Sequence, residues 1–433
     1  MQYFSTNRNS PHVSFRQATL NGQPDDRGLY FPESIPKFAT DFIGRLPELD
    51  QASIAFEVIR PYIGGEIADE KLHEICAETV NFEFPLVPVS GRISALELFH
   101  GATLAFKDVG ARFMSRCLRE FSDPATGRTV VIVATSGDTG GAVANGFFGV
   151  EGVDVVILFP KGKVSRVQEL QLTTLGGNIH AIEVDGDFDA CQAMAKSALA
   201  DAEIKERVFL TSANSINVAR WLPQQFYYLF AHRQLMTGGH GQVPVVSVPS
   251  GNFGNICAGI LAHVSGLPVR HFIAACNAND IVPRFLESGE MRSQAAVATL
   301  SNAMDVANPS NFVRVLELFD WDVVRLKDLV SSVSISDAET RRTMIDVRDR
   351  FGYLLDPHGA VGFRALEDFL ATTDGSGYFL ETAHPVKFDS VFEVSGTFGE
   401  IPRSVSDLES KTRRSTRMEA DYGSLREFIL SIA

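Results

Sequence analysis

Cysteine is scarce in this 433-residue chain. Its five residues, Cys76, Cys117, Cys191, Cys257 and Cys276, are odd in number and widely scattered. That spacing builds neither a disulfide framework nor a zinc site, so no metal and a reducing compartment are expected, with the thiols as small buried apolar groups. Long apolar runs are missing too: nothing approaches the roughly 18 residues a membrane helix needs. Residues Met1 to Asn7 lack the charged-then-apolar order of a secretory signal, and a cytoplasmic location is expected. Basic residues are outnumbered 39 to 53, giving a formal net charge of −14. That balance argues against a nucleic-acid partner. It also means that a phosphorylated ligand must be drawn in by local cations and dipoles rather than by the overall field. There is no repeat, low-complexity segment or long charge block, and the most basic stretch, Lys411 to Arg414, reads as a solvated face.

What is present is an α/β pattern. Hydrophobic residues make up 45% of the chain, enough for a large core at a length that suggests about three domains. A mixed N-terminal region is expected to reach residue 89, with helix-like stretches at 54–63 and 66–78. Over 90–388 strands are expected at 129–134, 153–159, 178–184, 207–211, 244–248, 269–275 and 377–381, with amphipathic helices such as 187–201 and 217–236 between them. This alternation predicts mostly parallel sheets flanked by helices, with ligands beyond the C-terminal strand ends. Residues 389–433 are expected to pack back on the body.

Three segments carry chemistry. In His100 to Asp108 one cation, Lys107, stands where Val109, Phe113, Cys117 and Phe121 begin to recur as a buried helix face. Desolvation and the positive end of the helix dipole both favour the neutral amine, which is what a lysine must offer to an aldehyde cofactor. Taken alone, Lys107 beside Asp108 also fits a surface pair. After the strand-like run to Ala134, Thr135-Ser136-Gly137-Asp138-Thr139-Gly140-Gly141 opens a helix with Val143, Phe147 and Phe148 on one side. Its hydroxyls, glycines and N–H groups suit a carboxylate, although an ordinary capped turn has the same composition. After Val245 to Pro249, Ser250-Gly251-Asn252-Phe253-Gly254-Asn255 precedes a helix through Ile256, Ile260 and Leu261. Its glycines let the backbone approach a phosphate. Neither loop matches a Walker or dinucleotide fingerprint. A lysine in an apolar setting and two anion cradles together suit a cofactor with one aldehyde and one phosphate, held beside an amino-acid carboxylate.

On these residues the chain resembles the threonine synthases, pyridoxal-phosphate enzymes of the tryptophan-synthase-like fold (fold type II). The matching stretches run nearly end to end: Gly28 to Pro32, Leu98 to Asp108, Ala134 to Gly140, Leu175 to Asn178, Ser212 to Asn217, Val248 to Gly254, Ser301 to Val306 and Thr382 to Pro385. The resemblance implies two parallel sheets facing across a cleft, with a small N-terminal domain over 1–89. It implies that Lys107 holds pyridoxal phosphate covalently and then acts as the mobile base. Gly251, Asn252, Phe253, Gly254 and Asn255 would cradle the cofactor phosphate, and Thr382 would bond the ring nitrogen. Ser136, Gly137, Asp138, Thr139 and Gly140 would hold the substrate carboxylate. Asp138 stands where many relatives of the fold carry Asn, and a carboxylate beside the ring hydroxyl is unfavourable unless protonated or turned away.

The implied substrate is O-phospho-L-homoserine, whose phosphate needs a second anion site. Candidates are Lys161, Lys163, Ser165 and Arg166, with Asn214, Ser215 and Asn217. The implied products are threonine and phosphate. A phospho-lyase releasing 2-oxobutyrate is one alternative on the same scaffold, and a hydroxyamino-acid dehydratase is another. The dehydratase fits the cofactor loops but not the N-terminal region or Ser301 to Val306. A ligand-binding protein without catalysis would show no visible absorbance from a covalently held cofactor. A monomer or homodimer acting on a small molecule, without nucleic-acid or membrane partners, is expected.

Overall fold

The computed structural model describes residues 1–121, 129–239, 242–292 and 294–432, without the side chain of Lys205. Its central strands follow the apolar runs. Val130 to Val133 are buried throughout, as strands covered on both faces by helices must be. One sheet has five parallel strands, in the order Thr416–Glu419, Ile179–Asp185, Val153–Pro160, Thr129–Ala134, Phe209–Ser212. A second has six, in the order Val330–Ser334, His271–Cys276, Val245–Pro249, Gly377–Glu381, Ile93–Glu97, Leu86–Pro88, and only its last pair is antiparallel. A small antiparallel sheet of Val13–Ser14, Gln2–Ser5 and Tyr30–Pro32 lies near the N-terminus.

All seven expected strands are present. The strands that went unread are edge or mixed sequences. Val330–Ser334 is rich in serine, and Thr416–Glu419 is polar and largely exposed. Ile93–Glu97 has no β-branched run to mark it. The helix Lys107–Phe121 buries Val109, Phe113, Cys117 and Phe121 as its spacing predicts. Phe148 departs from expectation: the helix ends at Phe147, and Phe148 is 50% exposed. The stretch 217–236 is broken into Val218–Trp221, a 3-10 turn Leu222–Gln225 and Phe226–Thr237. Pro223 within that turn lacks the N–H a continuous helix would use. All five cysteines are free and buried. Among the described residues no helix is long and apolar enough to cross a membrane.

The N-terminal segment shares an apolar core with the sheets. One apolar cluster runs from Tyr3 and Phe31 through the Lys107–Phe121 helix and Trp221 to Val248. Phe31 stacks on Trp221 with ring centroids 5.8 Å apart. Arg314 fastens this junction. Fully buried, it donates Nε and Nη2 to the Tyr30 carbonyl (3.2 and 2.9 Å), Nη2 to the Ile216 carbonyl (2.7 Å) and Nη1 to Asn311 Oδ1 (2.7 Å). Its guanidinium also lies 4.4 Å from the Trp221 ring centroid, within cation–π range. The C-terminal helix Tyr422–Ser431 packs on Phe188–Ala200.

Truncating Arg314 to alanine leaves buried carbonyls without donors and opens a void. Arg314→Ala should lower stability by about 3 kcal/mol, read as a lower denaturant midpoint on unfolding the purified variant.

Candidate active site

Lys107 is the first residue of its helix, and the segment before it is tied to the end of strand Gly377–Glu381. The Phe106 N–H donates to the Thr382 carbonyl (2.9 Å), the His384 N–H donates to the Leu104 carbonyl (3.0 Å), and Ala105 bridges Ala383. Leu104 accepts a left-handed backbone, φ 58°, to make this join, a conformation that L side chains rarely adopt. Lysine and Thr382 therefore arrive together. Burial brings the Lys107 amine down to about 8. Asp138 opposes that shift, while Lys387 and Arg220 add to it. Among the described residues the amine has no hydrogen-bond or ion-pair partner, and it lies 5.8 Å from the Phe106 ring centroid. Asp108 is not its surface partner. It is buried, and accepts from the Thr103 N–H (2.8 Å) and from the Thr103 hydroxyl.

The first loop follows Thr129–Ala134. Thr135 Oγ1 accepts from the N–H groups of Gly137 and Gly140, both at 2.9 Å. Those two amides are spent inside the loop. The N–H groups of Ser136, Asp138 and Thr139 remain for an anion at the start of helix Asp138–Phe147. Gly137 has φ 137°, and a Cβ there would come within 2.3 Å of the Gln168 side chain. Asp138 is buried and ionised. Its Oδ1 accepts from Lys387 Nζ at 2.8 Å and from Gln168 Nε2 at 3.0 Å, with both ionic side chains almost wholly buried. Burial alone would raise its pKa, but Lys387 and Lys107 outweigh it and hold the carboxyl far below the usual carboxylate range.

The second loop follows Val245–Pro249. Phe253 takes φ 60° just before helix Gly254–Ser265, and a left-handed residue there turns successive N–H groups toward one point. The amides of Gly251 to Asn255 have no partner among the described residues. Asn255 Nδ2 is a buried donor without an acceptor, although Asn255 Oδ1 and its carbonyl accept from the Tyr228 hydroxyl. Buried donors are rarely left unused, and a phosphate is the kind of group this set fits. Gly251 is required by packing, since a Cβ would lie 2.6 Å from Met304 Cα. Asn252 Nδ2 donates to Ser215 Oγ at 2.6 Å, which joins this loop to the Asn214–Asn217 segment. The Thr382 side chain is buried, and its hydroxyl makes no hydrogen bond within the described protein.

The proposed substrate-phosphate residues divide. Lys161 pairs with Asp185 at 3.4 Å and Arg166 with Glu409 at 3.0 Å, all of these side chains being exposed. Ser165 caps its own helix through the Gln168 N–H. Asn217 is fully buried and committed: Nδ2 donates to the Thr19 carbonyl at 2.8 Å, and Oδ1 accepts from the Ala219 N–H. It therefore pins the N-terminal segment instead of offering its amide to a ligand. Lys163 is exposed and has no ion pair among the described residues, while Asn214 and Ser215 are half-buried. Reading the sequence missed Lys387, Gln168 and Gln171, the last of which donates to the Thr103 carbonyl at 3.0 Å. Arg220 was also missed. It is buried, holds the Ala213 carbonyl, and is lowered to about 10 by burial. Lys387 follows Thr382 by five residues, and the stretch Thr382-Ala383-His384-Pro385 was its nearest signal.

Three family models cover the chain: pyridoxal-phosphate dependent enzyme over residues 89–377, threonine synthase N terminus over 2–80, and threonine synthase C-terminal over 359–429. The threonine synthase of Serratia marcescens is 44% identical over 435 residues, spanning all of both chains. The chain belongs to the threonine synthase family. The crystal structure of the Escherichia coli threonine synthase matches with a TM-score of 0.92 at 42% identity, again over both whole chains. That of a pyridoxal-phosphate-bound threonine synthase from Brucella melitensis matches with a TM-score of 0.92 at 34% identity, covering 99% of this chain and 98% of that one.

For a threonine synthase the Gly251 contact has a direct consequence. Gly251→Ala forces the Gly251–Asn255 loop away from Met304 at a cost of about 1–3 kcal/mol. Affinity for pyridoxal phosphate should fall about 10- to 100-fold, measured by titrating cofactor into the stripped protein.

Proposed function

We propose that this chain is a pyridoxal-phosphate enzyme that converts O-phospho-L-homoserine and water to L-threonine and phosphate, the last step of threonine biosynthesis. The observation that carries it is the buried amine of Lys107, without a hydrogen-bond or ion-pair partner among the described residues, on a chain whose preceding Phe106 N–H is hydrogen-bonded to the Thr382 carbonyl. Lys107 would hold the cofactor aldehyde. The amides of Gly251 to Asn255, with Asn255 Nδ2, would hold its phosphate. The Thr382 hydroxyl would serve the ring nitrogen, and a hydroxyl there would not enforce a protonated ring as a carboxylate would. When bound, the cofactor supplies an electron sink for the pair left on carbon as a proton departs.

The protein's own part is orientation and proton transfer. The free N–H groups of Ser136, Asp138 and Thr139 hold the substrate carboxylate. Lys163, Asn214 and Ser215 are the candidates for the second anion site that the fold has not committed to a cap or an ion pair among the described residues. Lys107, brought down to about 8, is poised to take and return protons near neutral pH. It removes the α-proton; a β-proton leaves as phosphate is expelled from the γ-carbon; a proton returns to the γ-carbon, the hydroxyl of water adds at the β-carbon, and a proton returns to the α-carbon. Water must be kept out until phosphate has left, which the buried setting of Lys107 and Asp138 favours. The net charge of −14 supports a small-molecule ligand over a nucleic acid. Five free, buried thiols support a cytoplasmic protein, working as a monomer or homodimer.

Purified protein with pyridoxal phosphate and O-phospho-L-homoserine should release phosphate and threonine in equal amounts. Phosphate matched by 2-oxobutyrate would make it a lyase instead. Lys107→Ala should lower turnover by about a thousandfold or more, and a variant with full turnover would sink the assignment.

A further inference from the structure

The unusual element of this site is a buried carboxylate placed among cations. Asp138 has two ammonium groups within electrostatic reach, Lys387 and Lys107. It engages only one of them. Lys387 Nζ is held between Asp138 Oδ1, at 2.8 Å, and the Thr103 carbonyl, at 2.7 Å. Gln168 Nε2 adds a second donor to the same Asp138 oxygen, and Gln171 a second donor to the same Thr103 carbonyl. The 3-10 turn Pro385–Lys387, capped by the His384 ring accepting from the Val386 N–H, turns Lys387 back from the end of the Thr382 strand. Lys387 is fully buried. A lysine tethered at both ends in this way has one geometry, and its ammonium occupies the position from which Asp138 is satisfied.

We propose that Lys387 is a positioning residue whose ion pair with Asp138 keeps that carboxylate from pairing with Lys107, leaving the Lys107 amine free to attach the cofactor. The inference rests on the cofactor reading above. Without Lys387, Asp138 would be a buried carboxylate whose only nearby ammonium is Lys107, and a charge in that state draws a proton onto its neighbour. The charged and titratable groups around the two lysines are few. Lys107 is influenced by Asp138, Lys387 and Arg220. Lys387 acts in turn on Asp108, Asp138 and His384. Tyr227 acts on Arg220, and burial raises it well above its usual range. His384 is brought down to about 4, chiefly by burial, so it stays neutral over the range tested. Among the described residues Asp138 is the single anion that acts on Lys107.

The signs follow. Removing the Lys387 charge leaves Asp138 to stabilise protonated Lys107, so the amine titrates higher. Removing the Asp138 charge leaves Lys387 to repel it, so the amine titrates lower. Removing both restores the balance. The experiment is reconstitution of the full-length protein with pyridoxal phosphate between pH 6 and 10. The visible band of the attached cofactor reports the rate, and circular dichroism reports folding. In the unmodified chain the rate should rise with pH through a midpoint near 8, the value burial gives Lys107. Lys387→Met should move that midpoint up by about one pH unit or more, and Asp138→Asn should move it down by a similar amount. The double variant should return to within about half a unit of the unmodified chain. A folded Lys387→Met with an unmoved midpoint would overturn the proposal. If Lys387→Met does not fold, an unmoved Asp138→Asn midpoint overturns it equally. An unmodified chain that forms no visible band overturns the cofactor reading along with it.

Discussion

One amine in this molecule, Lys107, is held toward its neutral form although a carboxylate that favours its protonated form, Asp138, stands close by. Much of the architecture serves that constraint. Lys107 is desolvated by the core that its own helix builds through Val109, Phe113, Cys117 and Phe121. It begins a helix, where the dipole disfavours a cation. The preceding backbone is stitched to Thr382 and His384, so the lysine cannot relax toward solvent without breaking a sheet extension. The carboxylate is occupied by Lys387 and Gln168. Solvation, dipole and competing pairing thus act in one direction on a single nitrogen.

Parallel sheets explain why the remaining groups gather where they do. Two strands end at the site, and the chain that leaves each starts a helix whose first N–H groups are uncommitted among the described residues. The Thr129–Ala134 strand delivers one such helix start and the Val245–Pro249 strand the other. They belong to different sheets, and Asn252 with Ser215 links them across a side-chain hydrogen bond. The N-terminal segment is part of the same machine. Through Tyr30, Arg314 and Asn311 it braces both the Asn214–Asn217 segment and the Asn252 backbone.

Central strands and the two anion loops were legible in the sequence because their signals are local: β-branched runs, then glycine and hydroxyl residues, then an apolar helix face. The resemblance carried the family. Edge strands were not legible, because Thr416–Glu419 is held by backbone pairing and has little apolar content. Within the site, local sequence also misled. Asn217 and Ser165 carry polar groups that suit a phosphate, yet the fold uses them as helix caps and tethers. Asp138 could be judged only by its own charge, since its partner Lys387 is 249 residues away along the chain (387 − 138). A pairing at that separation is created by topology alone, and Gln168, Gln171 and Arg220 were hidden for the same reason.

The most direct test of this account is to load the full-length protein with pyridoxal phosphate, reduce it with borohydride, and map the modified peptide by mass spectrometry. The cofactor mass should be found on Lys107, in the peptide that carries Phe106 and Asp108. A label on Lys387 instead, or none on either lysine, would contradict the claim that the fold keeps Lys107 as the one reactive amine.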